Sequence, residues 1–150
     1  MKARRPTIQS HNIRAALRGK RKITSRMTYK EFRAACPKLA SFDGGAITVG
    51  RFATRSPWER HPAGDELLHV LDGKIEVTLL KDNGSVHVAV GAGSIFIVPR
   101  GVWHRQTPRP VATVLAAIPT NHGPVSFADD PREGLKLEVT VERPTSAICQ

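Results

Sequence analysis

The chain has 150 residues, 40% hydrophobic and 24% charged, which is room for one domain with a hydrophobic core and excludes a wholly disordered or collagen-like chain. No stretch approaches the roughly 20 consecutive apolar residues of a membrane span, and the basic N-terminus is not followed by the apolar segment of a secretory signal. The formal net charge of +10 is unevenly placed: residues 1–33 hold 11 of the 23 lysines and arginines and a single acid, Glu31, so the rest of the chain is close to neutral.

The segment from Lys2 to Lys22 carries charge without apolar area, so residues 1–27 are expected to form a flexible basic arm beside a domain spanning 28–150. Three roles stay open for the arm: a solvated tail, weak contact with nucleic-acid phosphates or another anionic surface, and a targeting presequence. A start at Met27 would leave 14 basic against 13 acidic residues and remove the excess. Within the arm, Asn12–Arg18 reads as about two helical turns stopped by Gly19, too short for a helix-turn-helix module. Two isolated cysteines, Cys36 and Cys149, form neither a disulfide framework nor a Cys-rich zinc site, and a reducing, cytoplasmic setting is expected.

Thr28-Tyr29-Lys30-Glu31 has the form of a capping box, in which a hydroxyl and a carboxylate satisfy first-turn amides reciprocally, and predicts a short helix over Tyr29–Cys36 ended by Pro37. Beyond Ser41–Gly45 the texture is β throughout. Short apolar or alternating runs occupy 46–52, 66–71, 74–80, 86–90, 95–98, 111–118 and 135–141. Asp72-Gly73 and Asp82-Asn83-Gly84 read as hairpin turns, and Gly91-Ala92-Gly93 and Pro99-Arg100-Gly101 as further reversals. Strands at about ten-residue spacing without helical interludes predict an all-β sandwich or barrel.

Polar residues inside this pattern carry the chemistry. Glu59 and His61 are two apart and share a face of an extended strand, with Trp58 and Arg60 on the other. Glu66 follows across a Pro- and Gly-containing loop, and His104 comes just after the Pro99-Arg100-Gly101 turn. Two imidazoles with one or two carboxylates suit a divalent first-row metal with positions left open for water or substrate. Gln106 shares the side of His104 and is a candidate ligand-pocket residue. By strand parity His69 and His87 face outward, and Trp58 and Trp103 are expected to pack. His122 lies in a turn-rich loop where a role at a pocket mouth has no support from the pattern.

The stretch from Glu59 to Gly73 resembles the first cupin motif, His-x-His, three or four residues, Glu, six residues, Gly; here four residues separate His61 from Glu66 and six separate Glu66 from Gly73. Residues Gly93 to His104 resemble the second motif, Gly, five residues, Pro-x-Gly, two residues, His. The resemblance implies a single cupin jelly-roll β-barrel, often dimeric in this superfamily, with His61, Glu66 and His104 as metal ligands.

Two positions depart from the motifs. Glu59 stands where the first histidine belongs, which adds a hard oxygen donor and shifts preference toward iron(II) or manganese(II), with zinc and nickel also open. Glu59 is either a fourth ligand or a catalytic acid or base. Pro108 stands where the family often has asparagine, and the strand after His104 is expected to end or bulge there.

Two functions stay open. One is a metal-dependent cupin acting on a small polar organic molecule as a dioxygenase, isomerase or lyase. The other is a non-enzymatic ligand-binding or structural homodimer.

Overall fold

The structure, a computed structural model, describes residues 9–134. The expected strand at 135–141 and Cys149 lie outside these residues. Two short helices, α1 (Ile13–Leu17) and α2 (Tyr29–Ala35), precede eight strands: β1 (Lys38–Phe42), β2 (Gly45–Phe52), β3 (Trp58–Glu59), β4 (Glu66–Lys81), β5 (Gly84–Gly91), β6 (Ile95–Val98), β7 (His104–Ile118) and β8 (Val125–Ser126). A final turn of helix, α3, covers Pro131–Gly134. The predicted capping box is formed: Glu31 N–H donates to Thr28 Oγ1 at 3.2 Å and Thr28 N–H to Glu31 Oε2 at 2.8 Å.

All strand pairs are antiparallel and belong to one curled sheet, a half-barrel. Its spine is β4 against β7, in register from Leu67↔Ala117 to Leu79↔His104. On its other side β4 pairs first with β6 and then with β5, while β7 continues to β2, so the two long strands bend through the whole sheet.

The Asp72-Gly73 hairpin expectation is corrected: both residues lie inside β4. Gly73 has φ +76°, and a Cβ there would collide with the Val111 carbonyl oxygen, so the glycine serves a close backbone approach and not a reversal. Register irregularities between Val70 and Asp72 and between Gly73 and Ile75 shift the inward positions from 66, 68 and 70 to 75, 77 and 79. Across the strand pair, Pro108 faces Ile75 and Ala112 faces Gly73, so Arg109–Val111 form the bulge while β7 runs on to Ile118. The Asp82-Asn83 hairpin is present, with Lys81 opposite Gly84. A further hairpin joins β1 to β2, with Asp43 and Gly44 both at positive φ.

The core gathers Leu68, Val70, Ile75, Val77, Val90, Val98, Ala112 and Val114 from the strands with Phe32 of α2. Segment 9–27, expected to lie apart from the domain, reaches this core. Ile23 is fully buried, donates its N–H to Arg51 O at 2.6 Å and accepts from Ala53 N–H at 2.9 Å, and Leu17 and Met27 are buried too. Gly50 leaves space for it, since a Cβ there would lie 2.6 Å from Ile23 Cδ1. The charge argument overlooked three apolar side chains spaced along a basic segment, each large enough to dock alone. Among the described residues no helix is long and apolar enough to cross a membrane.

Candidate metal centre

Four side chains from four pieces of chain meet inside the half-barrel. Glu59 comes from β3, paired with His104 at the start of β7; Glu66 opens β4; His61 lies in the loop between β3 and β4. One potential ligand atom from each of Glu59, His61, Glu66 and His104 lies within 4.8 Å of the other three, and all four residues are buried. Glu66 Oε2 is the hub, 2.8 Å from His104 Nε2 and 3.3 Å from His61 Nε2, while Glu59 Oε2 is 3.9 Å from His61 Nε2 and 4.0 Å from His104 Nε2.

These short separations are not hydrogen bonds. His61 Nε2, His104 Nε2 and Glu66 Oε2 are buried without a hydrogen-bond partner, so they come close with directions that miss one another. Two imidazoles and two carboxylates gathered within ligand distance of one another are what a shared cation requires, and the close pairs that Glu66 makes with His61 and His104 do so without hydrogen-bond geometry. The far ring nitrogens agree. Nδ1 of His104 donates to Val102 O at 3.0 Å and Nδ1 of His61 donates to His122 O, so each ring holds its Nδ1 proton on a carbonyl and turns Nε2 inward as the donor atom. The residues present therefore fit a divalent ion.

Burial alone would push both imidazoles down and both carboxyls up. The contact with Glu66 overrides it and raises the His61 and His104 pKa values above normal, and their combined pull holds the Glu66 carboxyl well below the usual carboxylate range. Glu59 is also lowered, mainly by His122.

A tie between two loops sets the spacing of the histidines. Arg100, in the turn before β7, donates its guanidinium to the carbonyls of Pro62 at 2.8 Å and Ala63 at 2.9 Å, and Gly101 N–H donates to His61 O at 2.9 Å.

His122 is the residue that pattern reading passed over. It is brought to the site by the loop between β7 and β8, 3.6 Å from Glu59 Oε1 and edge-on to the His61 ring at a centroid distance of 4.6 Å. The available signal was Gly123, at φ +87°, where a Cβ would collide with Arg60 O; that glycine lets the loop lie directly on the strand carrying the motif. Gln106 follows His104 along β7, and its Oε1 is buried without a partner. His87 instead bonds Thr78 and Ser85 and neighbours Glu76 on the β4–β5 hairpin, and His69 alternates with buried Leu68 and Val70. Trp58 and Trp103 are buried packing residues, with Arg105 4.3 Å from the first ring and Arg60 5.3 Å from the second.

A curled antiparallel sheet with paired imidazoles and carboxylates gathered on it is the arrangement that the resemblance to the cupin motifs implies. Residues 49–107, less than half of the chain, match the family model for the cupin domain. Similar solved structures include a cupin-2 domain protein from Shewanella frigidimarina, 15% identical over 63% of this chain and 95% of that one, with a TM-score of 0.50. A hydroquinone 1,2-dioxygenase in complex with Cd2+ and 4-hydroxybenzonitrile is 17% identical over 85% of this chain and 87% of that one, with a TM-score of 0.56. A hydroquinone 1,2-dioxygenase from Sphingomonas with 4-hydroxybenzoate bound is 24% identical over 61% of this chain and 68% of that one, with a TM-score of 0.50. At these identities the likeness is one of fold. No curated protein matches the sequence.

Proposed function

We propose that this protein is a metal-dependent cupin enzyme that binds one divalent first-row ion through His61, Glu66, His104 and Glu59 and acts on a small polar organic molecule. The observation that carries the reading is the convergence of three buried donor atoms, His61 Nε2, His104 Nε2 and Glu66 Oε2, which stand at ion-pair distance without forming a hydrogen bond. The mixed nitrogen and oxygen donor set favours iron(II) or manganese(II). When bound, the ion supplies Lewis acidity and open positions for substrate oxygens.

The chain's own residues do the rest. The carbonyls of Val102 and His122 hold the imidazoles in the ligand tautomer. Glu66 balances the charge of the ion at the centre of the group. Glu59 is the fourth donor through Oε2 or, when a substrate displaces it, the base that takes a substrate proton. Gln106 Oε1 accepts a hydrogen bond from a substrate hydroxyl or amine. Oxygenase chemistry is the favoured class because two of the similar barrels are hydroquinone dioxygenases; an isomerase or lyase would use the same donors. A homodimer in the cytoplasm is the proposed assembly and setting. Its support is the edge strand β6, which pairs with β4 and leaves Ile95 and Ile97 exposed.

The test is elemental analysis of untagged protein followed by oxygen uptake of the iron(II) form with a panel of phenols and hydroxy acids. Near one equivalent of a first-row ion with substrate-dependent oxygen uptake is the expected result. Binding without turnover for every ion and compound would establish a ligand-binding module instead.

A further inference from the structure

The two oxygens of Glu59 face different ways. Oε2 looks toward His61 and His104, at 3.9 and 4.0 Å from their Nε2 atoms, whereas Oε1 is 3.6 Å from His122 Nε2. The same His122 accepts the Nδ1 proton of His61 on its backbone carbonyl. One loop residue thus faces two of the four grouped side chains, Glu59 with its imidazole at ion-pair distance and His61 with a main-chain hydrogen bond. The loop itself is pinned, because Arg60 N–H donates to Pro124 O at 3.1 Å and Gly123 allows direct contact with Arg60. His122 is not a member of the set whose ligand atoms lie within 4.8 Å of one another, so it stands behind Glu59.

We infer that His122 is a positioning residue for the metal centre: its imidazole engages Oε1 of Glu59 so that Oε2 alone is presented to the ion, and its carbonyl sets His61 with Nε2 inward. The inference rests on the metal-binding reading given above. A carboxylate free to turn chelates with both oxygens and fills two coordination positions; one oxygen held from behind occupies one, and a position stays open for substrate. The carbonyl contact survives any side-chain change at 122, so the two roles separate experimentally.

Cobalt(II) is the probe, read by chelator competition and by its visible ligand-field spectrum. His122→Ala is expected to weaken cobalt binding about 10–100-fold and to lower the absorptivity as Glu59 turns bidentate and the coordination number rises. His122→Gln, long enough to donate to Oε1, restores both readings, and the shorter His122→Asn does not; this pair decides the matter if the alanine variant fails to fold. With Glu59→Ala already in place, His122→Ala adds no further loss of affinity. Unchanged affinity and spectrum in His122→Ala, or the same loss in the Glu59→Ala background, would overturn the inference while leaving the metal site standing. Wild-type protein that takes up no stoichiometric cobalt would overturn the metal reading itself.

Discussion

Arg100 N–H donates to Asp65 Oδ1 at 2.8 Å, tying the turn that precedes His104 to the loop that carries His61. With the two guanidinium bonds to the same loop, this contact joins the loop carrying His61 to the turn before His104 through side-chain-to-backbone hydrogen bonds. Arg100→Ala is expected to cost only about 1 kcal/mol of stability, since the bonds are exposed, yet to weaken metal binding about tenfold by loosening the geometry. Urea melts of the metal-free protein and a chelator competition measure the two effects separately.

His61→Ala and His104→Ala are each expected to abolish stoichiometric metal uptake, because each removes one of only two nitrogen donors in the group. Glu66→Gln keeps the shape but replaces the hub carboxylate by a neutral amide, and the bound ion falls well below one equivalent. Elemental analysis after dialysis reads all three, and normal metal content in the two alanine variants would place the ion elsewhere.

The pH dependence of the metal-free and metal-bound forms runs in opposite directions. The His61 and His104 pKa values are raised above 6.5, so the stability they contribute is complete below that value and is lost as pH rises through their folded pKa values. The Glu66 value is depressed, so its contribution is present above 4.5 and lost as pH falls through its folded value. Metal-free protein is therefore expected to be most stable between about pH 4.5 and 6.5 on these groups' account. Metal must displace the imidazole protons, so the rise in melting temperature on adding manganese(II) is expected to be larger at pH 8 than at pH 6. Equal increments at both values would show that no imidazole proton is released.

Ile23→Ala is expected to destabilise the fold by about 2–5 kcal/mol, the usual cost of a cavity at a fully buried isoleucine. Deleting residues 1–26 removes Leu17 and Ile23 together and is expected to lower the melting temperature by about 10 °C or more. An unchanged melt would restore the independent-arm picture that charge alone suggests.

Gly73 and Gly101 have nearly the same φ, +76° and +74°, but only the first lies against backbone. Gly101→Ala is expected to cost about 1–2 kcal/mol, the strain of the left-handed conformation. Gly73→Ala adds overpacking of about 1–3 kcal/mol against Val111, and chemical denaturation should rank the two in that order.

Much of the architecture was legible along the chain because local forces act locally. The Thr28–Glu31 capping box, the Asp82-Asn83 hairpin and the alternation that turns Glu66 to the same side as Leu68 and Val70 depend only on near neighbours and a period of two. The same reasoning misread Asp72-Gly73, since a glycine required by a hairpin turn and one required by a crossing backbone look alike in sequence. It placed the start of the β texture after Gly45, although Lys38–Phe42 already forms a strand paired with the next.

Spacing within two short motifs named Glu59, His61, Glu66 and His104, and what the sequence determined by itself was this set of donors on a β scaffold. Their meeting within 4.8 Å, the docking of Ile23 and the arrival of His122 behind Glu59 were decided only by the curled sheet. Each depends on contacts between segments tens of residues apart, where no local propensity or period records which loop lies over which strand.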